Sequence, residues 1–158
     1  MNWIDDDLAE RIRREYLEAQ QAEINHTIAA HTEEIYNQLW NEVVERIAEV
    51  KAKPSQLPQL FTNGGPFLRK IIRPVNPKRH EQSRKPIEVE LKIAPDKLSI
   101  TAKSSESLPG SEYPILFSLA QGEDDVIRMK HKGEHYSVHE AAKLILRPLL
   151  FPELFVQR

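Results

Sequence analysis

Cysteine is absent from the 158-residue chain, which removes disulfides, thiolate nucleophiles and zinc–thiolate sites from consideration. Glycine is scarce, at five residues, and neither glycine nor proline occurs before Pro54. No apolar run approaches the roughly 18 residues that a membrane span requires. The opening Met1-Asn-Trp-Ile-Asp-Asp-Asp has neither the basic nor the apolar region of a signal peptide. The expectation is a cytoplasmic protein with no membrane contact. The G-x-S-x-G nucleophile motif is missing, and Asn63-Gly-Gly-Pro66 lacks the spacing and the Gly-Lys-Ser/Thr ending of a phosphate loop, so it reads as a turn.

What is present is a helical pattern from about Asp5 to Ala52. Leu17, Ile28, Leu39 and Val50 recur every eleven residues, with Ile24, Ile35, Val43 and Ile47 beside them. Eleven residues over three turns is about 3.67 per turn, which holds these side chains on one face. Asp5, Asp6 and Asp7 suit the positive end of a helix dipole, Lys51 and Lys53 suit the other, and Pro54 stops propagation. At about 1.5 Å per residue such a helix spans about 72 Å, whereas a compact chain of this size is about 40 Å across. Either the helix overhangs its own body and its stripe pairs with another copy, or it breaks into a hairpin near Asn25-His26-Thr27. The stripe runs in phase from Ile24 to Ile28, which favours a continuous helix and a coiled-coil-like homo-oligomer. The expected interface residues are Leu17, Ile24, Ile28, Ile35, Leu39 and Val43.

Residues 54–86 read as a Pro-rich basic connector. Phe67, Leu68, Ile71 and Ile72 fit a short helix behind Pro66 or an extended segment equally well, and 76–86 reads as a loop. The periodicity then changes to two. Ile87, Val89, Leu91 and Ile93 alternate with charged residues, and Leu98, Ile100 and Ala102 follow a turn at Ala94-Pro-Asp-Lys97, which predicts a hairpin with one buried face. Residues 115–120 and 126–131 add two strands, with a polar loop at 104–114 before them. Lys132-Gly133 is a tight-turn signal leading to a short return over 134–136. Ser137-Val-His-Glu140 is a capping box that starts a last helix, which Pro148 is expected to end, and the apolar tail from Leu149 needs cover. The predicted fold is α+β: a long N-terminal amphipathic helix (1–53), the connector (54–86), then an antiparallel meander of about four strands and a short C-terminal helix (87–158).

Six histidines invite a metal reading. His131, His135 and His139 are spaced by four, but the turn at Gly133 and the cap at Ser137 place them on different elements, so solvated polar residues are the simpler reading. Glu23-x-x-His26 matches half of a di-iron carboxylate motif without the second half. His31 falls beside the apolar stripe and reads as an interface histidine. Asp124-Asp125 reads as solvated acid in a hairpin loop. No cofactor or metal is expected.

Charge is segregated although the net value is only −2. Residues 1–52 carry 5 basic and 12 acidic groups, whereas 53–103 carry 11 basic and 4 acidic. Arg69, Lys70, Arg73, Lys78, Arg79, Arg84 and Lys85 form a basic cluster that would contact a polyanion, although aromatic interleaving for base stacking is poor. Three functional readings follow. The leading one is a non-enzymatic, self-associating scaffold or partner-binding protein. The second is a nucleic-acid-binding accessory protein using residues 69–85. The third is a small-ligand or metal-dependent enzyme with a pocket between the sheet and the C-terminal helix.

Overall fold

The computed structural model describes residues 2–53, 57–66, 68–74, 85–108 and 110–152. A single continuous helix, α1 (Trp3–Lys51), takes up 49 residues. Asn2 caps it, its side chain accepting from the Ile4 amide at 3.0 Å, with Asp5 and Asp6 in the first turn. No hairpin forms at Asn25-His26-Thr27, because nothing there breaks the ladder and the Thr27 hydroxyl folds back onto Glu23 O. Exposed pairs at helical spacing, Arg11–Glu15 at 3.5 Å and Arg14–Glu10 at 3.3 Å, support the first half; such pairs each contribute only about 0.3–0.5 kcal/mol.

Among the described residues seven strands follow, not about four: β1 (Phe61–Gly64), β2 (Leu68–Arg73), β3 (Ile87–Ile93), β4 (Ser99–Ser104), β5 (Ile115–Gln121), β6 (Ile127–His131) and β7 (Glu134–Tyr136). They form one antiparallel sheet in sequence order. Two of the added strands come from the segment expected as a connector: Phe61 pairs with Ile72, and Ile71 with Val89. The third is the short return at β7, where Lys130 faces His135.

Alternation decides which face is buried. Ile71, Val89, Leu91, Ile100, Ala102, Phe117 and Met129 point inward, while Lys70, Glu90, Lys92 and Lys103 share the opposite face. On that outer face Lys70 lies 3.6 Å from Glu88 and 3.5 Å from Glu90.

Both helices cover the inner face. Ser137 caps α2 (Val138–Leu150), accepting from the Glu140 amide at 3.1 Å, as the capping box requires. Pro148 does not end this helix, which runs two residues further. A proline inside a helix removes a donor and crowds the preceding turn. Here the Tyr113 hydroxyl donates to Ile145 O at 2.6 Å in that turn, and Phe151 N–H closes onto Arg147 O at 2.8 Å. Ala141, Ala142, Ile145 and Leu149 of α2 meet Tyr36, Leu39, Val43 and Ile47 of α1 in one core with the sheet. Hydrogen bonds fix α1 on the sheet, among them one from the buried Tyr36 hydroxyl to Leu91 O at 2.7 Å and one from the Thr32 hydroxyl to Lys97 O in the β3–β4 turn. No helix among the described residues is long and apolar enough to cross a membrane.

Candidate functional site

The long helix divides into two halves with different surroundings. From Ile28 onward its apolar face is inside the protein, with Leu39 and Val43 at 0% exposure. From Trp3 to Ile24 every residue is exposed. At about 1.5 Å per residue this free arm is about 33 Å long.

The six residues expected at an interface between copies therefore separate. Ile28, Leu39 and Val43 are buried and Ile35 half-buried, all in the chain's own core; Leu17 and Ile24 stay exposed. The reason is that an apolar stripe specifies a face, and the sheet supplied by the same chain is wide enough to cover half of it.

The arm carries a second apolar line that the eleven-residue pattern does not contain. Ile4, Leu8, Ile12 and Tyr16 follow one another at intervals of four, and Leu8 is 52% exposed and Ile12 59%. Each step of four advances about 40° around the helix, so this line winds away from the face that the body buries. The signal was present in the sequence as a simple i, i+4 repeat. At 100° per residue Asp5 and Asp7 lie beside this line and Asp6 on the opposite side, and none of the three has a cationic side-chain partner among the described residues.

At the other end of α1, a groove of about 500 Å³ lies between the helix's last turns and α2. Val50, Leu57, Leu146, Leu150 and Phe151 give it an apolar floor, and Arg46, Lys53, Lys143 and Arg147 stand at its rim. Arg46 is drawn back by Glu49 at 2.8 Å and Glu42 at 3.3 Å, and Lys53 by Glu49 at 3.8 Å. Lys143 is exposed and has no ion-pair partner among the described residues. His139 Nδ1 lies 2.9 Å from Glu42 Oε1 and ties the two helices together beside the groove.

The centre of the space between sheet and α2 is filled by the core, but a hollow of about 330 Å³ opens at one end of it, lined by Ile127, Met129 and Tyr136 of the sheet and by Val138 and Glu140 of α2, and a second of about 230 Å³ lies along α2 beside Tyr136 and Glu112.

The four described members of the basic cluster do not share one surface. Arg69 is half-buried, donating to Gly65 O at 3.0 Å and to Asn37 Oδ1 at 2.7 Å, with its guanidinium against the Tyr36 and Trp40 rings. Arg73 is buried at 6% exposure and has a partner, Lys70 is engaged on the opposite face of the sheet, and Lys85 also has a partner. Lys78, Arg79 and Arg84 lie outside the described residues. Arg69 and Lys70, adjacent in sequence, thus serve opposite faces of one strand.

The histidines among the described residues do not converge. His131 is buried under the sheet between the Phe117 and Tyr136 rings, with Nδ1 3.1 Å from Leu116 O and Nε2 3.3 Å from Glu112. His135 is on the edge strand β7 and faces outward beside Lys130, and His139 is on α2. His31 is exposed, with Nδ1 2.9 Å from Thr27 O. No group of three metal-ligating side chains comes together among the described residues. At the β5–β6 turn Arg128 holds the exposed Asp124 carboxyl down at about 2, so that group stays a counter-ion across the working pH range.

Comparison of the chain with protein-family models, with curated proteins and with solved structures finds no match.

Proposed function

We propose that the protein is a non-enzymatic, self-associating component, in which the first half of α1 acts as an association arm and the sheet with α2 forms a body that partners bind. One observation supports this above the others: Trp3, Ile4, Leu8, Ile12, Tyr16 and Leu17 are all at least half exposed on a single projecting helix. Large apolar side chains scattered singly on a surface need no explanation, but a run of them along a projecting element is the mark of an interaction surface. The arm also adds nothing to the chain's own core, so burial within one copy does not account for its apolar residues.

The test is the solution mass by light scattering at micromolar concentration. A multiple of 18.3 kDa is expected, falling toward the single-chain mass when Leu8 and Ile12 are both replaced by Glu. A wild-type protein that stays at the single-chain mass overturns the proposal.

A further inference from the structure

We infer that the arm of one copy docks in the groove between α1 and α2 of a second copy, and that the second copy returns the contact, giving a twofold dimer with antiparallel long helices. This rests on the self-association proposed above and names the surface that receives the arm.

Three observations point to this occupant. The arm and the groove are chemically matched. Residues 2–24 carry seven carboxylates and three arginines, net −4, along a helix with the apolar line Ile4, Leu8 and Ile12. The groove has an apolar floor and a rim of four cations with Glu49 among them, net +3. The unpartnered groups also correspond: Asp5 and Asp7, beside the apolar line of the arm, and Lys143 at the groove.

The arm cannot reach its own groove. Both belong to one uninterrupted helix with no proline or glycine to bend it, and bends in helices have such causes. Ile12 and Arg46 are 34 positions apart on that helix, about 50 Å along a fixed axis. The arm that fills the groove must therefore come from another molecule.

Geometry closes the pair. Two long helices laid antiparallel bring the first turns of each to the last turns of the other, and a twofold axis uses each contact twice. Setting the arm's carboxylates beside the cationic rim orients the arm and favours this docking over two arms laid together, which would place acidic helices side by side.

The chain's lack of cysteine makes the experiment clean. The double variant Ile12→Cys/Lys143→Cys should form an intermolecular disulfide on mild oxidation and run at twice 18.3 kDa without reductant, while either single variant stays at the mass of one chain. In the same protein without cysteines, Asp5→Lys/Asp7→Lys and Lys143→Glu should each raise the dimer dissociation constant at least tenfold, and the combination should recover most of it. Both sites are exposed, so neither change threatens folding. A dimer that Leu8→Glu disrupts but Lys143→Glu leaves intact, with Leu8→Cys alone cross-linking efficiently, would show arm pairing with arm; self-association would stand and the groove assignment would fall. A wild-type chain at the single-chain mass defeats both. Mass that keeps growing past two copies with concentration rejects the reciprocal dimer.

Discussion

The guanidinium carbon of Arg69 lies 4.5 Å from the centroid of the Tyr36 ring. This contact joins the β1–β2 hairpin to the long helix. Arg69 also donates to Gly65 O and Asn37 Oδ1, and Tyr36 donates to Leu91 O, so one arginine and one tyrosine link α1 to strands β2 and β3 and to the β1–β2 turn. Lysine has neither the plane nor the fork to replace this set. Arg69→Lys should lower the unfolding free energy by roughly 1–2 kcal/mol, measured by urea denaturation. Lys70→Ala, one residue away on the solvent face, should change it by less than about 0.5 kcal/mol. A silent Arg69→Lys would mean that the side chain is held for something other than packing.

The two halves of α1 should respond oppositely to truncation. Leu39 is fully buried, and Leu39→Ala removes core contacts and leaves a cavity, at a cost of about 2–5 kcal/mol. Leu8→Ala touches no core residue and should leave the unfolding midpoint of the isolated chain within about 0.5 kcal/mol of wild type. Urea titrations at low protein concentration, where association is minimal, compare the two directly. Equal losses would contradict the division of the helix into a packed half and a free arm.

Turn chemistry gives a third check. The β6–β7 connection has Lys132 at φ 50° and Gly133 at φ 81°, the signature of a two-residue hairpin turn. A Cβ on Gly133 would meet no neighbouring atom within 4 Å, so the penalty for Gly133→Ala is conformational alone, about 1 kcal/mol. Lys97, at φ 59° in the β3–β4 turn, carries the opposite opportunity. Lys97→Gly should be neutral or slightly stabilising by thermal denaturation, because the backbone keeps the carbonyl that Thr32 donates to.

How much of this was legible in the sequence follows from the same residues. The continuous helix was readable because nothing between Asn2 and Lys51 interrupts it, and the β3–β4 hairpin because apolar and polar residues alternate along both strands. The cap at Ser137 was readable as a local motif. The strand β2 was not, because its inward positions are Arg69, Ile71 and Arg73: two of three buried-side residues are charged, and the period of two disappears from the apolar pattern. The cover over Ile28, Leu39 and Val43 was also out of reach. Periodicity identifies a sticky face, but whether the chain's own sheet or a second copy meets it depends on tertiary geometry. The arm's line from Ile4 to Tyr16 was visible as spacing and was obscured by the stronger eleven-residue repeat. The groove was not visible at all, since its floor draws on residues from both ends of the chain.

Acid sensitivity should run through Glu112. Hydrogen bonds from Lys132 and His131 hold its carboxyl below the ordinary carboxylate range. A carboxyl lowered in the folded state stabilises the protein above its unfolded pKa, about 4.3, and loses that contribution as pH falls through the folded value. Glu112→Gln should therefore lower the urea midpoint at pH 7, and the gap from wild type should close as pH is taken from 5 to 3. A gap that persists unchanged at pH 3 would show that the side chain acts through packing and not through its charge.

Alkaline sensitivity should run through two tyrosines, with the opposite sign. Burial pushes the Tyr113 phenol far above its ordinary value, and burial also raises Tyr36 against the opposing pull of Arg69. Both hydroxyls donate to backbone carbonyls, Ile145 O and Leu91 O, and an ionised phenolate has no proton to donate. In the unfolded chain these groups ionise near pH 10. Above that pH the unfolded state releases protons that the folded state keeps, so stability is fully present below about pH 10 and declines as pH rises toward the folded values. Lysines titrate in the same range, which is why the comparison must be with variants. Tyr113→Phe and Tyr36→Phe should each cost about 0.5–1.5 kcal/mol at pH 8 through the lost hydrogen bond. The double variant should then lose less between pH 9.5 and 11.5 than wild type does. Parallel urea-midpoint curves for wild type and double variant over that interval would rule out these two phenols as the source of the alkaline limb.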